Sequence, residues 1–295
     1  MNELKAYLEW QRQWVDTALK GVLPDPAKRP RILHEAMHYS VFAGGKRIRP
    51  ILMIAACEAV GGQRETVIQT ACALEMIHTY SLIHDDLPAM DDDDFRRGVP
   101  TNHKVYGEAT AILAGDALLT QAFVLLSTPQ PGIDARLQQR ISQLIAVAAG
   151  AAGMVGGQVV DMEAEGKNSD LETVNYIHRH KTGALILASL QAGALLGGAD
   201  EATFQRLTQF GENAGLAFQI ADDLLDIEGN QEELGKDIGS DQARGKATYP
   251  AVLGIEESRR QADQLHRQAL DCLAPLGDKA QALRAISAYI IQRTH

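Results

Sequence analysis

Three long stretches, Glu65 to His84, Ala109 to Ser127 and Gly211 to Asp226, run without a proline and are rich in good helix formers. No comparable set of alternating Val, Ile and Thr residues marks strands. The chain is therefore expected to fold as an all-α protein. Breakers divide it further: Pro24 and Pro26 end a first helix, a second starts after Pro30 and runs toward Gly44-Gly45, and Pro50 suits the first turn of a third. Connections are expected at Pro129 to Asp134, Gly166 to Ser169 and Gly197 to Asp200. A fourth, Gly229 to Gly245, is long for a compact domain, polar and Lys-containing, which makes it a candidate lid. Nothing resembles a linker, so the expectation is one domain spanning residues 1–295.

The formal net charge of −10 disfavours nucleic acid or an anionic membrane surface as a general partner. An anionic ligand must instead be captured by a local concentration of cations. Cys57, Cys72 and Cys272 are odd in number, lie in apolar helical patterns and lack metal-ligand spacing, so they read as core thiols of a cytoplasmic protein. The first twenty residues carry Glu3, Lys5, Glu9 and Asp16 among their apolar positions, which fits neither a secretory signal nor a membrane-spanning helix. Between Ala146 and Gln158 nearly every residue is Ala or Gly, a composition that lets helices approach closely.

Two apolar helical runs end in clustered aspartates. In the second cluster, Asp222 and Asp226 are four residues apart and share a helical face with Gln219. Like charges so placed destabilise an isolated helix by about 0.2–0.5 kcal/mol, so carboxylates facing a cavity there call for a compensating cation. Oxygen-only ligands with no His or Cys among them suit Mg²⁺ that bridges to phosphates. Taken alone, the cluster is better described as an exposed acidic helix end. The first cluster, Asp85-Asp86 followed by Asp91 to Asp94, closes a helix whose stripe Leu74, His78, Ser81, Asp85 lies on one face. Asp91 is six residues from Asp85, which on a continuous helix would turn it about 120° away. Pro88 lacks an N–H, so the helix is expected to break or bulge between Leu87 and Asp91 and allow Asp91 to return. Asp116 has nothing chemical spaced around it and reads as a structural acid.

Cations flank the first cluster. Arg96-Arg97 follow it directly, and Lys46-Arg47-Ile48-Arg49 sit between Gly44-Gly45 and Pro50. Surface pairing with neighbouring acids is one account of the arginines, worth about 0–1 kcal/mol each. Their forked donors also suit diphosphates.

Taken in order, Gly44 to Pro50, the seven-residue motif Asp85 to Asp91 with Arg96-Arg97, His180-Lys181-Thr182-Gly183, Gln219 to Asp226, and Lys236 with Gly245-Lys246 resemble the signatures of the short-chain trans-prenyl diphosphate synthases. The resemblance covers residues 40 to 250, and the ending Tyr289 to Arg293 is also similar. It implies an isoprenoid-synthase bundle of helices around a deep central cavity, two acidic motifs facing each other at its mouth, and a homodimer. The implied ligands of three Mg²⁺, with Mn²⁺ as a substitute, are Asp85, Asp86, Asp91, Asp222 and Asp226. Lys46, Arg49, His78 and Arg97 would hold isopentenyl diphosphate. Arg96, Lys181 and Lys236 would hold the allylic diphosphate, with Lys246 nearby, while Thr182 and Gln219 line the reacting carbon and Asp161 sits just outside the metals. A histidine on an apolar helix face is as readily a hydrogen-bonded core residue, so His78 stands evenly between the two roles.

The implied reaction is ionisation of the allylic diphosphate, attack by the isopentenyl double bond and loss of a proton, for which no Ser-His-Asp or Cys-His nucleophile is needed. Terpene cyclases share the ionisation chemistry but have no second diphosphate to bind, which the Lys46 to Arg49 cluster would serve. A non-catalytic subunit can dispense with metal ligands, and both acidic motifs are complete here. For product length, Ser81 lies one turn before Asp85, while Tyr80 is offset by about 100°. The resemblance associates an aromatic at Tyr80 and the longer acidic motif with fifteen-carbon rather than twenty-carbon products, although Tyr80 equally fits an ordinary core residue.

Overall fold

The computed structural model describes residues 2–228 and 245–292. The chain divides into two compact units, Met1–Ile51 with Glu65–Ser142, and Leu52–Arg64 with Gln143–His295. Among the described residues the only strands are two residues long, so the all-α expectation holds.

The first unit is built around α4 (Ile68–Asp85), which is buried almost all round between Thr70 and Tyr80. A helix apolar on every side belongs at the centre of its unit. Helices α1 (Asn2–Val22), α2 (Arg31–Phe42) and α6 (Glu108–Ser127) pack against it, and α5 (Asn102–Tyr106) packs on α2 and α6. The start of α3 (Ile48–Ala59) and most of α7 (Ala135–Ala149) complete this unit. A charge pair enters this core: Glu75, 1% exposed, has an Oε1 that accepts from Arg47 Nη1 at 2.8 Å. Arg47 Nε also donates to Asp16 Oδ1 at 2.8 Å and Nη2 to the Val41 carbonyl at 2.6 Å. Burial alone would lower the Arg47 pKa, but Glu75 and Asp16 more than offset it.

The second unit has α11 (Glu201–Glu228) as its spine, packed on α10 (Ala184–Leu196) and on α13 (Ile255–Leu273). Around them lie α8 (Met154–Ala164), α9 (Leu171–Ile177), α12 (Tyr249–Leu253) and α14 (Gln281–Gln292). The Ala/Gly-rich stretch behaves as expected, because α8 lies against the six-residue π-helical turn His178–Gly183 with backbone close to backbone. A Cβ at Gly157 would stand 2.1 Å from the Lys181 nitrogen.

By length and apolarity, α6 and the stretch Ala135–Ala164 resemble membrane-spanning helices. One face of α6, including Ala111, Ala114, Leu118 and Ala122, is buried in the first unit, and Ala135–Ala164 is interrupted by a turn at 150–153. Ile112, Leu113 and Val124 on α6 and Val155, Val159 and Met162 on α8 are exposed.

Candidate functional site

A helix break is present as expected, but it begins at Asp86, before the Leu87 to Asp91 stretch in which Pro88 placed it. Helix α4 stops at Asp85, and a tight loop follows in which Met90 N–H donates to Leu87 O at 2.9 Å and Asp92 N–H to the same carbonyl at 3.1 Å. Asp91 N–H then donates to Asp85 O at 2.8 Å, closing the loop with the two aspartates side by side along the backbone. Asp86, expected among the metal ligands, is 3% exposed, and its Oδ1 accepts from Arg96 Nε at 2.5 Å. Burial pushes its carboxyl up to about 7 while Arg96 pulls the other way.

Nothing in the sequence signalled the β-hairpin that carries Arg96-Arg97. Residues Phe95–Arg96 and Val99–Pro100 pair antiparallel. Arg97 at φ 55° and Gly98 at φ 79° make the two-residue turn, both at the positive φ a type I′ turn requires. The hairpin is held at its ends. Tyr39 OH donates to Pro100 O at 2.7 Å, Thr101 Oγ1 to Asp93 O at 2.8 Å, and Asn102 Nδ2 to Ala36 O at 2.8 Å and Ser40 Oγ at 2.7 Å. The Arg97 guanidinium reaches back to donate to Gly44 O. It lies over Gly45, where φ is +119° and a Cβ would sit 2.6 Å from Nη1, so both the space and the backbone conformation require glycine.

The three cations of the basic cluster separate. Arg47 is committed to Glu75 and Asp16, whereas Lys46 is exposed and Arg49 faces Arg97 and His78. Arg49 is pulled down to about 10 by burial, with Arg97 adding to the effect and Glu75 opposing it, and its buried Nε has no hydrogen-bond partner. Arg97 is lowered chiefly by burial as well. His78 is depressed well below its usual value, first by burial and then by Arg49, Arg97, Arg96 and Arg47, so it stands there as a neutral imidazole. Crowded, desolvated guanidinium groups with an orphan donor form a site that an anion would stabilise.

In the second unit α11 is unbroken from Glu201 to Glu228, so Gln219, Asp222 and Asp226 share a face as their spacing requires. Asp226 is 1% exposed and Asp222 half-buried. Asp223 is fixed elsewhere: its Oδ2 meets His178 Nε2 at 2.8 Å and accepts the Tyr249 N–H at 2.9 Å. The His178 and Tyr249 rings stack with centroids 5.6 Å apart, and Tyr249 OH donates to Asn175 Oδ1 at 2.5 Å. His178 opens the π-helical turn that carries Lys181 and Thr182, a distortion often found at functional positions and one that sequence spacing did not signal. Lys181 Nζ lies 2.5 Å from Asp161 Oδ2, one helical turn beyond Gly157 on α8. Lys246 and Asp226 line one depression beside α12. Lys236 and residues 229–244 of the candidate lid lie outside the described residues; at its far end, Gly166 N–H donates to Gly245 O at 3.0 Å.

Among the described residues no three acidic, His or Cys side chains gather into a complete metal cage. Carboxylates in ones and twos fit Mg²⁺, which takes one or two protein oxygens and fills its octahedron with substrate phosphate and water.

The sequence model of the family described as polyprenyl synthetase matches residues 30–286. The chain is 53% identical over 253 residues to a farnesyl diphosphate synthase of Geobacillus stearothermophilus, covering 85% of each. It is 48% identical over 293 residues to a geranylgeranyl diphosphate synthase of Cyanophora paradoxa, covering 99% of this chain and 97% of that one. The crystal structure of an apo FPP/GFPP synthase from Zymomonas mobilis superposes with a TM-score of 0.88 at 41% identity, covering 98% of this chain and 99% of that one.

Proposed function

Because the chain belongs to the polyprenyl synthetase family and is a prenyl diphosphate synthase that condenses isopentenyl diphosphate with allylic diphosphates, we propose that farnesyl diphosphate is its main product, formed with three Mg²⁺ in a homodimer. The observation that carries the two-diphosphate reading is the state of Arg49: half-buried, lowered to about 10, and with its buried Nε unpartnered. A buried unsatisfied cationic donor is costly unless an anion arrives.

In this reading Lys46, Arg49 and Arg97 donate to the diphosphate of isopentenyl diphosphate, with neutral His78 beside them as a hydrogen-bonding wall. Arg96, Lys181, Lys236 and Lys246 donate to the allylic diphosphate. Asp161 sets the direction of the Lys181 ammonium through their ion pair. Asp85, Asp91, Asp222 and Asp226 would hold Mg²⁺, which when bound supplies Lewis-acid stabilisation of the leaving diphosphate. Asp86, an expected ligand, serves here by holding Arg96. Thr182 and Gln219 present side-chain oxygens toward the carbon that becomes cationic, and the released diphosphate takes the final proton.

One family model spans both compact units, which supports reading them as a single catalytic domain. The exposed apolar side chains of α6 and α8 are the faces a second copy would cover. Three free cysteines, two of them buried, suit a cytoplasmic location. The farnesyl assignment rests on Tyr80, buried at 8% exposure one residue before Ser81, together with the seven-residue loop. The likeness to a geranylgeranyl diphosphate synthase favours the twenty-carbon alternative. Purified protein given labelled isopentenyl diphosphate, Mg²⁺ and either dimethylallyl or geranyl diphosphate should yield fifteen-carbon product on chromatography. Twenty-carbon product as the main species would overturn the farnesyl reading, and no elongation by the protein alone would favour a cyclase or an accessory subunit.

A further inference from the structure

Tyr80 and His84 are one turn apart on α4, and the His84 ring stands edge-on to the Tyr80 ring, with centroids 5.7 Å apart and planes at 80°. The other side of the imidazole is seated on α6. Its Nε2 lies 3.0 Å from the Ile112 carbonyl and 4.0 Å from Asp116 Oδ1. A carbonyl only accepts, so Nε2 carries the proton in this contact. A Cβ on Gly115 would stand 2.2 Å from Nε2 and 2.5 Å from Cδ2 of His84, a distance no side chain tolerates. Glycine inside a helix costs about 0.5–1 kcal/mol relative to alanine, and α6 is otherwise well supplied with alanine. The void at Gly115 is filled by the imidazole. Asp116, expected to be a structural acid, has a side chain 60% exposed and stands at the rim of this contact.

We propose that His84, seated on Gly115, is a specificity-determining residue: a strut between α6 and Tyr80 that keeps the tyrosine from yielding as the prenyl tail lengthens. The proposal rests on the reading of Tyr80 as the residue that limits product length. An aromatic side chain limits a pocket only if it cannot retreat, since interiors resist added carbon by packing and lose that resistance where a neighbour leaves space. The Ile112 carbonyl and the bare Gly115 backbone hold the imidazole on one side, and the Tyr80 ring rests on the other. His84 adjoins the metal-binding aspartate in sequence, yet its ring is spent on this contact.

Product distributions of four variants test the strut. Tyr80→Ala should lengthen the products. His84→Ala should raise the twenty- to fifteen-carbon ratio about tenfold while kcat for the first condensation changes by less than about threefold. Gly115→Ala should lower Tm and also lengthen products, because the ring loses its seat. In the double variant Gly115→Ala/His84→Ala the clash has no partner, so Tm should recover while the product distribution matches His84→Ala alone. A purely structural role for glycine would give no such recovery. If Tyr80→Ala lengthens products and His84→Ala leaves them unchanged, the strut is refuted while the farnesyl reading stands. If neither variant changes the products, or the unsubstituted protein already makes twenty carbons, the reading of Tyr80 fails and takes the strut with it.

Discussion

The two acidic clusters carry similar residues on different backbones. The first lies where α4 stops, and its third member returns through a loop closed by Asp91 N–H on Asp85 O. The second lies on unbroken α11, where spacings of three and four need no interruption. Yet the adjacent pairs divide their work in the same way. Asp86 is drawn to Arg96 and so anchors the hairpin that also bears Arg97. Asp223 is drawn to His178 and so anchors the π-helical turn that bears Lys181 and Thr182. In each pair one carboxylate is fixed to the neighbouring cationic element, and its predecessor, Asp85 or Asp222, is the one assigned to Mg²⁺. On the proposed assignment, a run of aspartates would combine two functions, ligand and positioner.

The largest effect should come from the assigned ligands. Asp85→Asn and Asp222→Asn should each lower turnover by about a thousandfold or more, with Tm nearly unchanged, because their charge serves the transition state more than the apo fold. Steady-state rates across a Mg²⁺ titration would check this, and near-normal turnover at saturating Mg²⁺ would remove either residue from the metal site.

The positioning partners should be less severe for rate and worse for stability. Asp86→Asn and Asp223→Asn should lower kcat/KM about 10–100-fold, as supporting residues around metal sites do. Each should also cost about 1–3 kcal/mol in denaturant unfolding, through the buried partner left poorly satisfied. Their Mg²⁺ half-saturation should stay put, in contrast to the ligand variants. A large shift in Mg²⁺ dependence for Asp86→Asn would return it to the ligand set and end the parallel between the pairs.

The support beneath the second cluster can be broken from α8. Gly157→Ala should push the π-helical turn aside, costing about 1–3 kcal/mol by overpacking and lowering turnover through Lys181. Normal Tm and normal rate together would show that the close backbone approach is dispensable.

The smallest effect separates the first unit by pH. His78 has its folded pKa depressed below the ordinary 6.5, so below that pH the unfolded chain binds a proton that the folded one refuses. Stability should therefore fall as pH drops below about 6.5, by up to roughly 1.4 kcal/mol per pH unit from this group. His78→Gln should remove that slope and leave the limb above pH 7 unchanged, which urea unfolding at pH 5, 6 and 7.5 would resolve. Parallel pH curves for the two proteins would mean that His78 is not held neutral by its surroundings.

Features that depend on residues close along the chain were legible before any coordinates. Proline-free runs of helix formers marked α4, α6 and α11; the missing N–H of Pro88 signalled a break, although the helix stops at Asp85 rather than between Leu87 and Asp91; and a spacing of four placed Asp222 and Asp226 on one face. Local backbone geometry alone determines these. The roles of individual charges were not legible, because each depends on a partner far away in sequence. Arg47 looked like a fellow of Arg49 until Asp16 and Glu75 claimed it, and nothing in the spacing of Asp223 pointed to His178, 45 residues earlier. Asp161 met Lys181 across 20 residues, and His84 lies against Gly115 across 31 residues. Helix periodicity is set by steric limits repeated at every residue, whereas which of two adjacent like charges turns inward is decided by where packing delivers a counter-charge and how much water it leaves behind.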